Sequence, residues 1–244
     1  MSDNAKTIRL DKFLSNSGLI SRRGVKSLLK KEEVTVNRQR VRESGTRIIP
    51  GKDIIKINGE PVKKSELVYY LLNKPIGYIS TTSDEFQRDN VISLIDTYER
   101  IYPVGRLDKD THGLILLTND GELTHKLIHP RYHVPKTYLL TIEGKVKPIQ
   151  IKILKKGVLL EDGITLPAEV SIEKETKNKT VLKMTIHEGK NRQIRRMCTA
   201  LRLELIDLQR IAFGPLKLGK LNLGEYRQLS KKELEDLKKS TERG

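Results

Sequence analysis

The chain of 244 residues has no tryptophan, three phenylalanines and a single cysteine, Cys198. One cysteine excludes an intramolecular disulfide framework and suits a reducing compartment. Long apolar runs are missing too, and none approaches the roughly 20 residues that a membrane-spanning helix needs. The opening Met-Ser-Asp-Asn-Ala-Lys lacks the apolar core of a secretion signal, so a cytoplasmic protein with no membrane partner is expected. Acidic residues are scarce: 31 Asp and Glu stand against 47 Lys and Arg, leaving a formal net charge of +16. An excess of that size, spread along the whole length, points to a polyanionic partner, above all a nucleic acid. The length allows a sizeable core, with room for one large domain and a small one.

What is present centres on residues 104 to 121. A polar loop carries Arg106, Asp108, Lys109, Asp110 and Thr111, then runs directly into the apolar Leu114 to Leu117, closed by Asn119-Asp-Gly121. The apolar run predicts a buried strand and the Asp-Gly pair a turn. A carboxylate just before such a strand sits at the edge of a rigid sheet, where it can be placed accurately. Asp108 and Asp110 also fit a plainer role as turn residues that hydrogen-bond the backbone two positions on.

Residues 8 to 59 read as a compact basic module. Leu10, Phe13 and Leu14 fall at helical spacing, and Ser15-Asn-Ser-Gly18 ends that helix. Ser21 is expected to cap a second helix with Val25, Leu28 and Leu29 as its buried stripe and Arg22, Arg23, Lys26, Lys30 and Lys31 around it. Cations so crowded repel one another unless phosphates neutralise them. Short strands are predicted at Val34 to Val36, around Val41 and at Asp53 to Ile57. Residues 60 to 66, polar and proline-bearing, are expected to be a linker to a main domain over 67 to 240.

In that domain strands are predicted at 68–72, 135–142, 168–173, 180–186 and 203–211, with a hairpin at Asp162-Gly163 and a polar loop over 81–90. Helices are expected over 123–128, 149–156 and from Ser230-Lys-Lys-Glu233, a capping box. Strands outnumber helices without regular alternation, so the fold class is α+β with a mixed, largely antiparallel sheet. Asn191 is expected to cap a helix whose Ile194, Met197, Cys198 and Leu201 share one buried face, which makes Cys198 a core residue. Arg192, Arg195 and Arg196 crowd the start of that helix against its dipole, a local conflict that marks a functional site.

Other chemistries are poorly served. His125, His129 and His133 recur every four residues, but Pro130 breaks the helix that would align them as metal ligands. Gly189-Lys190-Asn191 lacks the spacing of a triphosphate cradle, and no elbow motif supports a serine nucleophile. A carboxylate with neither metal nor cofactor, in a strongly basic chain, remains.

The motifs Arg9-Leu-Asp-Lys-Phe13, Ser21-Arg-Arg and Val34-x-Val-Asn37 resemble the S4 RNA-binding module, two helices packed on a small sheet. Gly105-Arg-Leu-Asp108, Asp110-Thr111-x-Gly-Leu114, Lys136-x-Tyr138 and Gly189-x-Asn-Arg-Gln-Ile-Arg-Arg-Met197 resemble, in order, the ribosomal pseudouridine synthases that carry an S4 module. Arg88-Asp-Asn90 and Asn191-Arg-Gln-Ile-Arg195 look most like the family's F type, which acts on the large ribosomal RNA. The resemblance implies a cofactor-free isomerase acting on uridine in ribosomal RNA, with large-subunit RNA favoured and small-subunit RNA, transfer RNA or an assembly intermediate as other substrates. A monomer is expected. It further implies that Asp108 is the catalytic aspartate, with Arg106 engaging RNA around the target. Tyr138 would stack on the uracil, Ile194 would pack against the base or Tyr138, and Arg195 would pair with Asp108. Arg22, Arg23 and Lys26 would contact RNA phosphates. The carboxylate could attack the base, attack the sugar or remove a proton. A non-catalytic RNA-binding or ribosome-assembly factor would share the basic charge and the front module, but it has no need of a carboxylate among phosphates.

Overall fold

In a computed structural model, which describes residues 7–63, 65–82 and 89–242, the chain divides into two compact units. The first runs to Val68 and takes in Thr97–Ile101 and Asn119–Gly121. It begins with β1 (Ile8–Arg9), α1 (Leu10–Asn16) and α2 (Val25–Lys31). Five short strands follow: β2 (Val34–Val36), β3 (Gln39–Arg40), β4 (Arg47–Ile48), β5 (Ile55–Ile57) and β6 (Glu60–Pro61). The four-stranded order is β3-β2-β5-β6, with β1 paired to β4 apart from it. Leu10, Leu14, Val25, Leu29, Val34, Ile48 and Ile55 form the core, so two helices do pack on a small sheet.

Local details depart from expectation. Ser21 does not cap α2 directly: its Oγ accepts the Gly24 N–H at 3.1 Å, closing a turn before the helix begins at Val25. Arg22 and Arg23 therefore sit in that turn rather than along the helix. Glu60 and Pro61, expected in a linker, pair with Lys56 and Ile57. Pro61 is tolerated because its strand is an outer one, where no ladder N–H is required of it.

The second unit contains β7 (Tyr69–Lys74), β8 (Tyr102–Pro103), β9 (His112–Thr118), α3 (Gly121–Ile128), β10 (Lys136–Glu143) and α4 (Pro148–Lys156). It continues through β11 (Leu159–Leu160), β12 (Gly163–Ile164), β13 (Glu169–Glu175), β14 (Lys179–Ile186) and α5 (Gln193–Ala200). The last elements are β15 (Leu205–Phe213), β16 (Leu216–Lys217), β17 (Tyr226–Gln228) and α6 (Lys231–Lys239). Its main sheet runs β13-β14-β10-β15-β9-β7-β17, with β16 on β15 and β8 on β9. Only the β15–β9 pairing is parallel among these, so the sheet is mixed and largely antiparallel. Strand β9 is buried at every residue but His112, as a near-continuous apolar run in a central strand should be. Strand β10 instead alternates, burying Tyr138, Leu140 and Ile142. The capping box at Ser230 and Glu233 forms, opening α6. Arg88 and most of the polar loop around it lie outside the described residues. No helix among the described residues is long and apolar enough to cross a membrane.

Two features fix the loop between β8 and β9. Gly113 (φ +105°) faces Arg210 across the parallel junction, and a Cβ there would lie 2.3 Å from the Arg210 carbonyl oxygen. Only glycine lets the two backbones approach so closely. The second feature is Lys74. The sequence pattern ends its strand at Leu72, yet β7 runs through Lys74, whose side chain is fully buried. Its Nζ donates to the carbonyls of Pro75 (3.0 Å), Asp108 (3.1 Å) and Thr111 (2.8 Å). Burial pushes its ammonium down to about 8 against the pull of Asp110 and Asp108.

Between pH 8 and the unfolded value of 10.5 the native state thus holds fewer protons at Lys74 than the unfolded chain. Stability contributed there rises with pH across that window, and the burden of the buried charge is fully present below it. Lys74→Met removes this dependence and strands the carbonyls. The stability gap between wild type and variant is therefore expected to widen by a few kcal/mol from pH 8 to pH 10. Urea unfolding of both proteins across that range measures it, and a constant gap would show that Lys74 does not titrate.

Candidate active site

A cleft of about 460 Å³ opens where the 105–111 loop, β10, β15 and the start of α5 meet. Arg106, Asp108, Tyr138, Ile194 and Arg195, widely separated in the chain, all line it. Asp108 follows the buried Leu107, whose N–H and carbonyl both engage the Ser80 hydroxyl. With Lys74 gripping the Asp108 carbonyl from below, the carboxylate is half-exposed but its backbone is pinned. Tyr138 is 7% exposed, so its ring offers the cleft little more than one surface. Ile194 is buried on the first turn of α5.

The ion pairing differs from expectation. Arg195 does not meet Asp108: its Nη2 donates to the Asp110 carbonyl (2.8 Å) and the Thr111 hydroxyl (3.1 Å) and lies 3.3 Å from the Asp110 carboxylate. Among the described residues the cation that pairs with Asp108 is Arg192, with Nη1 at 3.7 Å from Oδ2. The cause is local backbone geometry. Arg192 adopts a left-handed conformation (φ 45°) before α5, which aims its side chain at the loop, where it also reaches Asp110 at 3.3 Å. Asn191, expected as the cap, instead presents its carbonyl to Arg196 Nε at 2.8 Å. Burial pushes the Asp110 carboxyl up, but Arg192 and Arg195 prevail and hold it below the carboxylate range. Arg196 pairs with Asp162 at 2.9 Å, in the β11–β12 hairpin. The arginine crowding at the start of α5 is thus answered by two carboxylates.

Sequence reasoning missed a second group of cations. Arg210 is 2% exposed, directly opposite Tyr138 in the β10–β15 register, where an extra residue, Ile211, bulges β15. Such bulges re-aim side chains beside active sites. Its phase was readable: Leu208 and Arg210, two residues apart on β15, are both buried, so a charged residue occupies an inward position. Lys136 also lines the cleft, donating to the Val134 carbonyl at 2.9 Å. Burial first, then the neighbouring Arg210, lowers it to about 8 against Glu188.

The remaining candidates have structural roles. His125 and His129 lie ring to ring at 5.1 Å, and His129 Nδ1 accepts the Arg131 N–H. Among the described residues no group of three or more His, Cys, Asp or Glu is gathered as a metal site. Cys198 is buried, and burial raises its thiol to about 12, which removes it as a nucleophile at neutral pH. In the front unit Arg22 is tied to Asp11 at 3.2 Å, while Arg23 and Lys26 are exposed.

A half-exposed carboxylate, an aromatic surface and several guanidiniums in one cleft can hold a nucleic-acid base and act on it as nucleophile or base. Comparison with known proteins gives the same direction. Residues 68–200 match the family model for RNA pseudouridylate synthase, and residues 8–54 match the S4 domain. The ribosomal large subunit pseudouridine synthase B of Bacillus subtilis (strain 168) is 41% identical, over 97% of this chain and 98% of its own. The dual-specificity RNA pseudouridine synthase RluF of Escherichia coli (strain K12) is 37% identical, over 97% of this chain and 80% of its own. A solved structure described as a pseudouridylate synthase superposes with a TM-score of 0.69 at 31% identity, covering 94% of this chain and 99% of that one. The buried loop-and-cleft architecture and these matches lead to one conclusion: the chain belongs to the RNA pseudouridylate synthase family and carries an S4 domain at its front.

Proposed function

We propose that the chain isomerises uridine to pseudouridine in large-subunit ribosomal RNA, with Asp108 as the reacting carboxylate and the target base turned out of its helix. The observation that carries the proposal is the convergence of Asp108, Tyr138 and the α5 guanidiniums on one cleft. The name of the Bacillus subtilis relative, a large-subunit enzyme, favours that RNA over others.

The reaction breaks the bond from C1′ to N1 with its electron pair left on the ring. A bond from C1′ to C5 then forms, the C5 proton leaves, and N1 gains a proton. Nothing is oxidised overall, so the chemistry calls for no redox cofactor. Reaching the base requires unstacking it, at a few kcal/mol, and an aromatic platform returns roughly 1–3 kcal/mol. Tyr138 supplies that platform, with Ile194 packing against the base. Asp108 serves as a carboxylate, with the Arg192 guanidinium 3.7 Å from its Oδ2. Arg195 serves through the loop, holding Asp110 and Thr111 so that Asp108 keeps its direction. Arg106, exposed at the rim, engages RNA around the target. Arg23 and Lys26 contact phosphates, which positions the RNA without reading its sequence. Such a protein works in the cytoplasm, on ribosomal RNA or on an assembly intermediate.

Three outcomes test this reading. Asp108→Asn is expected to abolish pseudouridine formation in large-subunit RNA transcripts while leaving RNA affinity within about threefold, since the change removes a charge that repels phosphates. Turnover by that variant would remove the assignment. Tyr138→Phe should keep most activity, whereas Tyr138→Ala should weaken productive binding roughly 10- to 100-fold. Replacing both Arg23 and Lys26 by alanine should lower the slope of log affinity against log salt by about 1–2, read from filter binding at several salt concentrations.

A further inference from the structure

Arg210 is used by neither the fold nor the proposed chemistry in full. Its Nε donates to the Leu114 carbonyl at 2.6 Å, which anchors one edge of the guanidinium to β9. Its Nη2 is buried, and among the described residues it has no hydrogen-bond partner. A buried cationic donor with nothing to donate to is an unfavourable arrangement unless an acceptor arrives from elsewhere. The side chain lines the cleft, opposite Tyr138 in the sheet register. Lys136 lies on the same wall, and the Phe213 ring centroid is 5.2 Å from Arg210 Cζ and 5.8 Å from Lys136 Nζ. The Oε1 of Glu188, the carboxylate acting on Lys136, already accepts from the Gln193 side chain at 2.6 Å and the Leu166 N–H at 2.8 Å. The wall behind Tyr138 is therefore positive and holds a buried donor with no acceptor among the described residues.

We infer that Arg210 hydrogen-bonds a carbonyl oxygen of the uracil stacked on Tyr138, recognising the base and stabilising the charge it acquires. The inference rests on the proposed isomerisation. A guanidinium has donors only. Uracil presents two carbonyl oxygens at its edges, whereas cytosine replaces one of them with an amino group that would meet Arg210 donor to donor. When the C1′–N1 bond breaks, its electron pair is delocalised onto those same oxygens. A fixed, buried cation acts most strongly at that moment, as donors in an oxyanion hole do. The bulge at Ile211 and the close approach at Gly113 hold Arg210 in place before the base arrives. Reorganisation at the moment of reaction is correspondingly small.

The test uses the full chain and a large-subunit ribosomal RNA transcript labelled with tritium at C5 of uridine, because isomerisation releases that label to water. Wild type should release tritium and Asp108→Asn should not. No release from wild type removes the proposed function, and this inference with it. Given wild-type turnover, Arg210→Met is expected to lower kcat about 100-fold, with RNA affinity and melting temperature little changed. Arg210→Lys should fall between the two. Ethylguanidinium added to Arg210→Ala should restore part of the lost rate, an effect that a merely structural role would not produce. A kcat near the wild-type value overturns the inference. So does weakened RNA binding at unchanged kcat, which would assign Arg210 to a phosphate. Loss of folding in all three variants would make the guanidinium a core prop and equally overturn it.

Discussion

A buried ammonium gathering main-chain carbonyls is the constraint on which the cleft depends. The loop from 105 to 111 has no regular structure of its own, so its shape must come from bonds to neighbours. Lys74 provides them from beneath, reaching the carbonyls of Asp108 and Thr111, which flank Lys109 and Asp110. The Lys109 carbonyl lies further off, at 3.5 Å from the Lys74 Nζ. Burying that charge is unfavourable in itself, and it is sustained because its protons face oxygens. Gly113 does the complementary work on the far side by letting β9 and β15 touch. With the loop held from below and β9 seated against β15, the Asp108 backbone has little freedom left.

Charge is distributed just as closely through the cleft. Three arginines stand near the start of α5, where the helix dipole disfavours cations. Asp110 and Asp162 take up two sides of that cluster, through Arg192 and Arg195 on one and Arg196 on the other. Asp110, the more heavily engaged of the loop carboxylates, works as a structural counter-ion. Asp108, by contrast, is approached among the described residues only by Arg192, at a long 3.7 Å. Two aspartates separated by one residue are thereby given different tasks by the partners the fold assigns them.

Much of this was legible in the sequence. The apolar run from Leu114 to Leu117 announced a buried strand, and residues 135–142 announced another. The capping box at Ser230 and Glu233 formed as written, because its signal is entirely local. The five cleft residues could be named in advance only through the motifs that carry the family resemblance, since their meeting is a product of tertiary structure. What stayed hidden has the same origin. Lys74 falls just past the predicted strand of 68–72, and only the loop packed over it shows why a lysine should be buried there. The pairing of Arg195 with Asp110 rather than Asp108 follows from the left-handed turn at Arg192, a non-glycine conformation that no propensity would have suggested.

Arg192 also bears on how the Asp108 carboxylate faces the cleft. A close, bidentate guanidinium would occupy both of its oxygens. A cation at 3.7 Å leaves those oxygens open to the cleft. Direct restraint of the side chain is replaced by restraint of its backbone, through Lys74, Ser80 and the Arg195 bonds to Asp110 and Thr111. Restraint and openness are thus assigned to different atoms of one loop, which is how a single carboxylate can be held still while its oxygens stay free.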